Sequence, residues 1–298
     1  MNNFGIAIHG PKKYRSMMNV LIFLLYFMIC PHPGDADLHA DLIKAAQEDN
    51  PAYLQNLLDK GADVNDRNEH GWTAFYIAAN HGHRQLMELM ITQGADIDTM
   101  DNNGVTALMA AASYGHEDCV KLLLEQGAQI NTVSYGSKHL TALTSAAAKQ
   151  HLNVVKLLIE HGAQINPPGN WNPLCAAVQH GHMTTVEFLI ANGANVNHQL
   201  DSTQGYTPLI LAAYFGKTAI MSILLNHGAD PNQTDYKRQT PLMYAVLSNN
   251  IEIIEKLISA QADINLKNQK GKSALDYAIE SNNTKIQKIL LDIGATNQ

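Results

Sequence analysis

Several features that mark common functional classes are absent from this chain of 298 residues. Its three cysteines are too few for a disulfide framework. No Gly-rich phosphate loop of the GxGxxG or Walker type occurs. The formal net charge is −7, so the chain lacks the basic excess that a general nucleic-acid binder or a binder of anionic membranes needs. A basic partner, or simply good solubility, fits this charge better.

A repeat of about 33 residues runs through most of the sequence. Most units open on a short apolar segment with paired alanines, as at Pro208, Leu209, Ala212 and Ala213, and seven units close on Gly-Ala, as at Gly228. Proline suits the first turn of a helix, the leucine and alanines form an apolar face, and the closing glycine suits a left-handed helix end. Each unit therefore predicts two short helices. The units are 38–70, 71–103, 104–139, 140–169, 170–204, 205–238, 239–270 and 271–298.

The period and the T-P-L-x-x-A-A opening resemble the ankyrin repeat. The resemblance covers residues 38–298 and implies an all-α, ankyrin-repeat solenoid of about eight helix-turn-helix units with short β-hairpin fingers, in a domain spanning 37–298. One unit cannot bury its own apolar face, so neighbours share the stability. The resemblance also implies that asparagines in the closing turns bond backbone, and that a rigid concave face binds a protein.

No catalytic or metal-binding group stands out from the repeat. The motifs HGH at 81–83 and 180–182 contain metal-ligand residue types, but their second histidines share a repeat position with His116 and His151. At that position the resemblance implies an imidazole bonded to backbone. In HEDC at 116–119, four consecutive residues at a helix start point in different directions. We therefore predict no catalytic residue, no metal and no cofactor, and the chain is not expected to be an enzyme.

Residues 1–36 do not fit the repeat. Three basic residues between positions 12 and 15 precede an apolar run at 17–29, and Gly34 and Ala36 are small residues placed for a cleavage site. This layout is typical of a secretory signal peptide. The run is shorter than the ~20 residues of a spanning helix, but an uncleaved membrane anchor at 17–30, and a wrong start or buried helix, stay open. Lipidation of Cys30 is disfavoured because Ile29 is large.

Aromatic residues, only 6% of the chain, recur at fingertip and first-helix positions that in ankyrin-like folds line the concave surface. Exposed aromatics are common anchors of interfaces. The predicted protein-binding residues are Trp72, Tyr114, Trp171, His180, Tyr206, Tyr214, Phe215 and Tyr236. As an alternative, Trp72 and Trp171 pack against the neighbouring finger. Some fingers differ in length by two residues, which fits either a binding face or drift without function.

These observations favour a non-enzymatic protein-binding module, exported to the periplasm or secreted. Its partner is a protein of unknown identity; the resemblance to ankyrin-like proteins of host-associated bacteria makes a host protein one candidate. Nucleic acid is not expected, and a membrane only if 17–30 is an anchor. The alternatives are a membrane-tethered scaffold and a regulatory subunit of an enzyme.

Overall fold

The computed structural model describes residues 35–136, 139–167, 171–201 and 204–296. Within them the chain forms sixteen α-helices in eight consecutive pairs, which confirms the predicted architecture. The pairs are α1 (Asp35–Gln47) and α2 (Pro51–Asp59), α3 (Ala74–His81) and α4 (Arg84–Thr92), α5 (Ala107–Tyr114) and α6 (Glu117–Glu125), α7 (Ala142–Ala148) and α8 (Leu152–Glu160), α9 (Pro173–His180) and α10 (Met183–Ala191), α11 (Pro208–Tyr214) and α12 (Thr218–Asn226), α13 (Pro241–Leu247) and α14 (Ile251–Ser259), and α15 (Ala274–Glu280) and α16 (Thr284–Asp292).

The predicted leader segment lies almost wholly outside the described residues. Only its last two residues, Asp35 and Ala36, are included, and they begin α1. None of the helices in the described ranges is long and apolar enough to cross a membrane. The apolar run at 17–29 is not among those ranges.

The first helix of each pair from α3 onward begins after a residue that caps it. Thr, Asn or Ser stands there, and its side chain accepts a hydrogen bond from a backbone amide three residues later. At Thr73, for example, Oγ1 accepts from the amide of Tyr76 at 3.1 Å. Removing such a cap typically costs about 1 kcal/mol. Gly82, with φ +80°, then ends α3 in the left-handed region.

The odd-numbered helices form one row and the even-numbered helices a second. Alanine pairs in the odd row, such as Ala111 with Ala112 and Ala212 with Ala213, are fully buried, so these helices approach closely. They pack on one another more tightly than the even-numbered helices do. Because one row is more tightly spaced, the array curves towards it, and the odd row lines the concave face.

Histidine side chains bond backbone at three of the four positions where the sequence predicts this, and they thereby link consecutive units. In each case a ring nitrogen of the histidine before an even-numbered helix meets a carbonyl near the end of the previous unit's first helix. The pairs are His116 Nε2 with Asn80 O at 3.0 Å, His151 Nε2 with Ser113 O at 3.1 Å, and His182 Nε2 with Ala148 O at 3.0 Å. Since a carbonyl only accepts, each Nε2 carries the proton. His83 differs: its Nδ1 lies 3.7 Å from Asp49 Oδ2.

Asparagines in the closing turns form a second set of links. Asn197 Nδ2 donates to Gly228 O at 3.0 Å, and its Oδ1 accepts from the amide of Asp230 at 2.8 Å. Asn65, Asn131 and Asn166 make the same paired bonds one unit apart. The expectation that these asparagines bond backbone is thus confirmed.

The fingers between units differ from the prediction. No β-strand forms in the described ranges, so the expected β-hairpins are wrong; each finger is a tight turn. Two backbone bonds close the turn, as from the amide of Asp235 to Gln239 O at 3.0 Å and from the amide of Arg238 to Asp235 O at 2.9 Å. Neighbouring fingers add one bond each, as from the amide of Tyr236 to Gln204 O at 2.8 Å. One backbone bond between neighbouring fingers is too few to form a β-strand.

Candidate functional site

The predicted binding residues fall into two groups separated by unit five. Trp72 and Tyr114 lie at the N-terminal end of the concave face. Tyr206, Tyr214, Phe215 and Tyr236 lie at its C-terminal end. Unit five contributes Trp171 and His180.

Trp171 requires a correction. Its side chain is only 8% exposed and belongs to the hydrophobic core, so it does not lie on the candidate surface. Trp72 holds the same slot of its finger but stays partly exposed. The sequence of the finger before Trp171 is two residues shorter. His180 is exposed, and its ring stacks on His182 with centroids 5.9 Å apart.

The N-terminal aromatic patch consists of Trp72, Tyr76 and Tyr114. The rings of Trp72 and Tyr76 are nearly parallel, with centroids 5.9 Å apart. Trp72 Nε1 donates to Asp101 Oδ2 at 3.3 Å, which fixes the indole at the base of the next finger. Burial, helped by the charge of Asp101, raises the pKa of Tyr76 to about 12. Its hydroxyl therefore stays protonated at neutral pH and can donate a hydrogen bond.

A cavity of about 260 Å³ opens beside this patch. Tyr76 and Tyr114 form part of its wall, Met109 and Leu140 contribute apolar surface, and serines, Ser134 among them, add hydroxyls. No charged side chain lines it. A space of this size and polarity suits one apolar or aromatic side chain of a partner.

The C-terminal aromatic patch consists of Tyr206, Tyr214, Phe215 and Tyr244. The ring of Tyr214 meets those of Phe215 and Tyr244 edge-on, with centroids 4.9 and 5.8 Å apart. Tyr206 stacks on Tyr214 and meets Tyr244 edge-on at 5.6 Å. Tyr214 remains 51% exposed and Phe215 40%. The patch thus presents two aromatic side chains on a support of two others.

Tyr244 anchors this patch and was missed in the sequence. Its hydroxyl donates to Asp235 Oδ2 at 2.8 Å, and the side chain is buried. Burial raises the pKa of Tyr244 most, and the hydrogen bond to Tyr206 raises it further. The signal in the sequence is the spacing of nine residues between a polar finger residue and a tyrosine. It recurs one unit later, where Asn268 Nδ2 donates to the hydroxyl of Tyr277 at 2.8 Å.

Tyr236 lies on the fingertip directly after Asp235, which bonds Tyr244 of the patch. Its ring covers Gly205 so closely that a Cβ there would come within 2.6 Å of it. The ring of Tyr135, on another finger, covers Gly104 of the preceding finger in the same way. Both rings stay largely exposed, so each offers a flat apolar surface on a finger.

Comparison with known families decides what kind of chain this is. The family model described as ankyrin repeats (3 copies) matches residues 42–134, 132–200, 197–268 and 237–298. The chain belongs to the ankyrin repeat family. Ankyrin repeats typically bind protein partners and are generally non-catalytic.

A solved ankyrin structure shows the same fold. The crystal structure of the human ASB11 ankyrin repeat domain superposes with a TM-score of 0.67 at 30% sequence identity, covering 76% of this chain and all of that one. Comparison with curated proteins returned no significant match.

The cysteines and other metal-ligating residue types form no chemical site among the described residues. Within the described ranges, no three His, Cys, Asp or Glu side chains gather as a metal site would need. Cys119 and Cys175 are free and buried. Burial raises the pKa of both thiols, that of Cys119 to about 11, so neither is a ready nucleophile.

Proposed function

We propose that this ankyrin array is a protein-binding module whose concave face and fingers hold one partner protein. The observation that carries the proposal is the line of aromatic side chains left in solvent along the inner row. Tyr114, Tyr214 and Phe215 are 40–60% exposed at the ends of α5 and α11, while the alanines and leucines of the same helices are buried.

Physical chemistry supports this use of the surface. Tyrosine and phenylalanine bury much apolar area with few rotatable bonds, and interface energy concentrates in such residues. The rings are held by neighbouring rings, and the backbone under them by buried helices. A surface ordered beforehand loses little entropy on binding.

The test compares matched variants as bait in affinity capture. A triple variant, Tyr114→Ala with Tyr214→Ala and Phe215→Ala, should lose the proteins that the unmodified chain retains. A control carrying Met183→Ala and Leu291→Ala removes exposed apolar side chains from the even row and should retain them. Equal capture by both variants would refute a concave-face site.

We further propose that residues 1–36 direct export. Support comes from the sequence: basic residues, a short apolar run and small residues in that order. Intact mass and N-terminal sequencing after expression in a bacterium test this, and a chain beginning at Asp37 is expected. A chain that keeps its start and stays with membranes in carbonate would instead support a tethered scaffold.

A further inference from the structure

Positive charge gathers on the fingertips next to the C-terminal aromatic patch. Lys237 and Arg238 occupy the tip of one finger and Lys270 the tip of the next, and all three are exposed. In the described part of the chain, none of them forms an ion pair with a carboxylate, whereas nearby Lys272 pairs with Glu280. We call these three residues the basic fingertips.

The backbone at Arg238 lies in a conformation that glycine usually adopts. Its φ is +59°, in the left-handed region. Four other fingers have glycine at this repeat position: Gly71 (φ +80°), Gly104 (φ +76°), Gly205 (φ +78°) and Gly271 (φ +73°). Arginine in this conformation is strained where glycine is not. Seven other non-glycine residues in the described ranges also have a positive φ, His139 at this same repeat position among them, so the strain alone does not single out Arg238.

Hydrogen bonds connect the basic fingertips rigidly to the aromatic patch. Asp235 Oδ1 accepts from the amides of Lys237 and Gln239 at 2.9 and 2.7 Å, and its other oxygen accepts from Tyr244. One buried carboxylate thus orients both the fingertip and the ring that supports the patch. The amide of Gln269 bonds Lys237 O at 3.0 Å, which ties the two fingers together.

The inner helices that carry the patch, α11 and α13, offer nothing to repel an anion. On the next inner helix, α15, both carboxylates are engaged, Asp276 with Ser273 and Glu280 with Lys272. Helices α3, α5, α7, α9, α11 and α13 contain no aspartate or glutamate. Beyond the patch, Leu247 adds an exposed aliphatic side chain at the end of α13. Despite the net charge of −7, this part of the surface is apolar with a positive edge.

We propose that the C-terminal half of the concave face binds an acidic peptide segment of the partner, with its carboxylates on the basic fingertips. Its apolar side chains would rest on Tyr214, Phe215 and Leu247. This inference rests on the proposed function and names its partner's chemistry. A peptide fits better than a nucleic acid, because a phosphate backbone would gain little from the aliphatic contact at Leu247.

The experiment selects peptides from a random display library on the full-length chain. The enriched sequences are synthesised, and their Kd values are measured by fluorescence anisotropy. We expect Asp and Glu to be enriched together with apolar residues. The triple variant Lys237→Ala, Arg238→Gly and Lys270→Ala should weaken binding about tenfold, and added salt should weaken it further.

Two controls separate binding from folding. Lys121→Ala removes an exposed cation from α6, on the even row, and should leave Kd unchanged. Arg238→Gly alone should weaken binding without lowering the melting temperature, because glycine relieves the backbone. A structural role for Arg238 would instead lower both.

Other outcomes are equally decisive. The selected peptides could lack acidic residues, bind the Lys237, Arg238 and Lys270 variant normally, and fail to bind the chain with Tyr214→Ala and Phe215→Ala. That result would overturn this inference and leave the proposed function standing. Peptides indifferent to every concave-face change, or a library that yields no binder, would count against both. Tighter binding of a single-stranded oligo-dT that depends on the basic fingertips would assign them to nucleic acid instead.

Discussion

The histidine links between units allow a quantitative test of what holds the array together. His116, His151 and His182 each bond a carbonyl of the preceding unit through Nε2. Replacement by alanine removes the ring and also leaves that carbonyl without its partner. An unpaired buried carbonyl costs about 1–3 kcal/mol. These carbonyls are partly buried, so the lower end of that range applies, on top of the packing lost with the ring. We therefore expect each of these variants to be destabilised by roughly 2–4 kcal/mol.

His83 is the matched control. It holds the same repeat position and is partly buried, but its Nε2 has no hydrogen-bond partner in the described ranges. His83→Ala should therefore cost at least about 1 kcal/mol less than the other three, because only packing is lost. Urea unfolding followed by far-UV circular dichroism at pH 8, where imidazoles are ordinarily neutral, measures the difference. An equal loss for all four variants would refute the claim that the hydrogen bond contributes separately from burial.

Three further predictions use other features of the fold. Gly115→Ala should destabilise the chain more than Gly94→Ala in the same urea assay, because both glycines have positive φ but only the Cβ at 115 would collide with the ring of His151; equal losses would contradict this. Cys119 should not react with a thiol reagent at pH 8 until the chain unfolds, since its pKa is raised to about 11; rapid reaction of the folded chain would refute its burial. Because the fold raises the pKa of Tyr244, its protonated hydroxyl stabilises the fold below about pH 10, and this stabilisation is lost as pH rises further. Tyr244→Phe should therefore show a smaller loss of stability in strong alkali than the unmodified chain.

The helices were predictable because the same local sequence signals recur from unit to unit. These signals are a capping Thr, Asn or Ser, an apolar helix face and a left-handed glycine. Each acts within a few residues, and most units contain all three. The finger conformation was not predictable in this way. Whether a turn extends into a hairpin depends on how many backbone bonds its neighbours offer, and here they offer one.

The candidate site was predictable only as positions, not as environments. Trp72 and Trp171 hold one slot of the repeat, yet one lies on the surface and the other in the core. Period alone cannot separate them, because burial depends on the length of the finger and on the next unit. Tyr244 was missed for a related reason: a tyrosine at an inner-helix position looks like a core residue until its bond to Asp235 is seen.

The net charge of the chain illustrates the same limit on a larger scale. A value of −7 favours a basic partner if the charge is spread evenly. The fold does not spread it evenly: the inner helices from α3 to α13 have no carboxylates, while Lys237, Arg238 and Lys270 stand together at one edge. Since screening confines charge effects to about 10 Å, a docked segment experiences this local surface and not the sum. The partner's charge should therefore follow the fingertips, which is the opposite of what the composition favours.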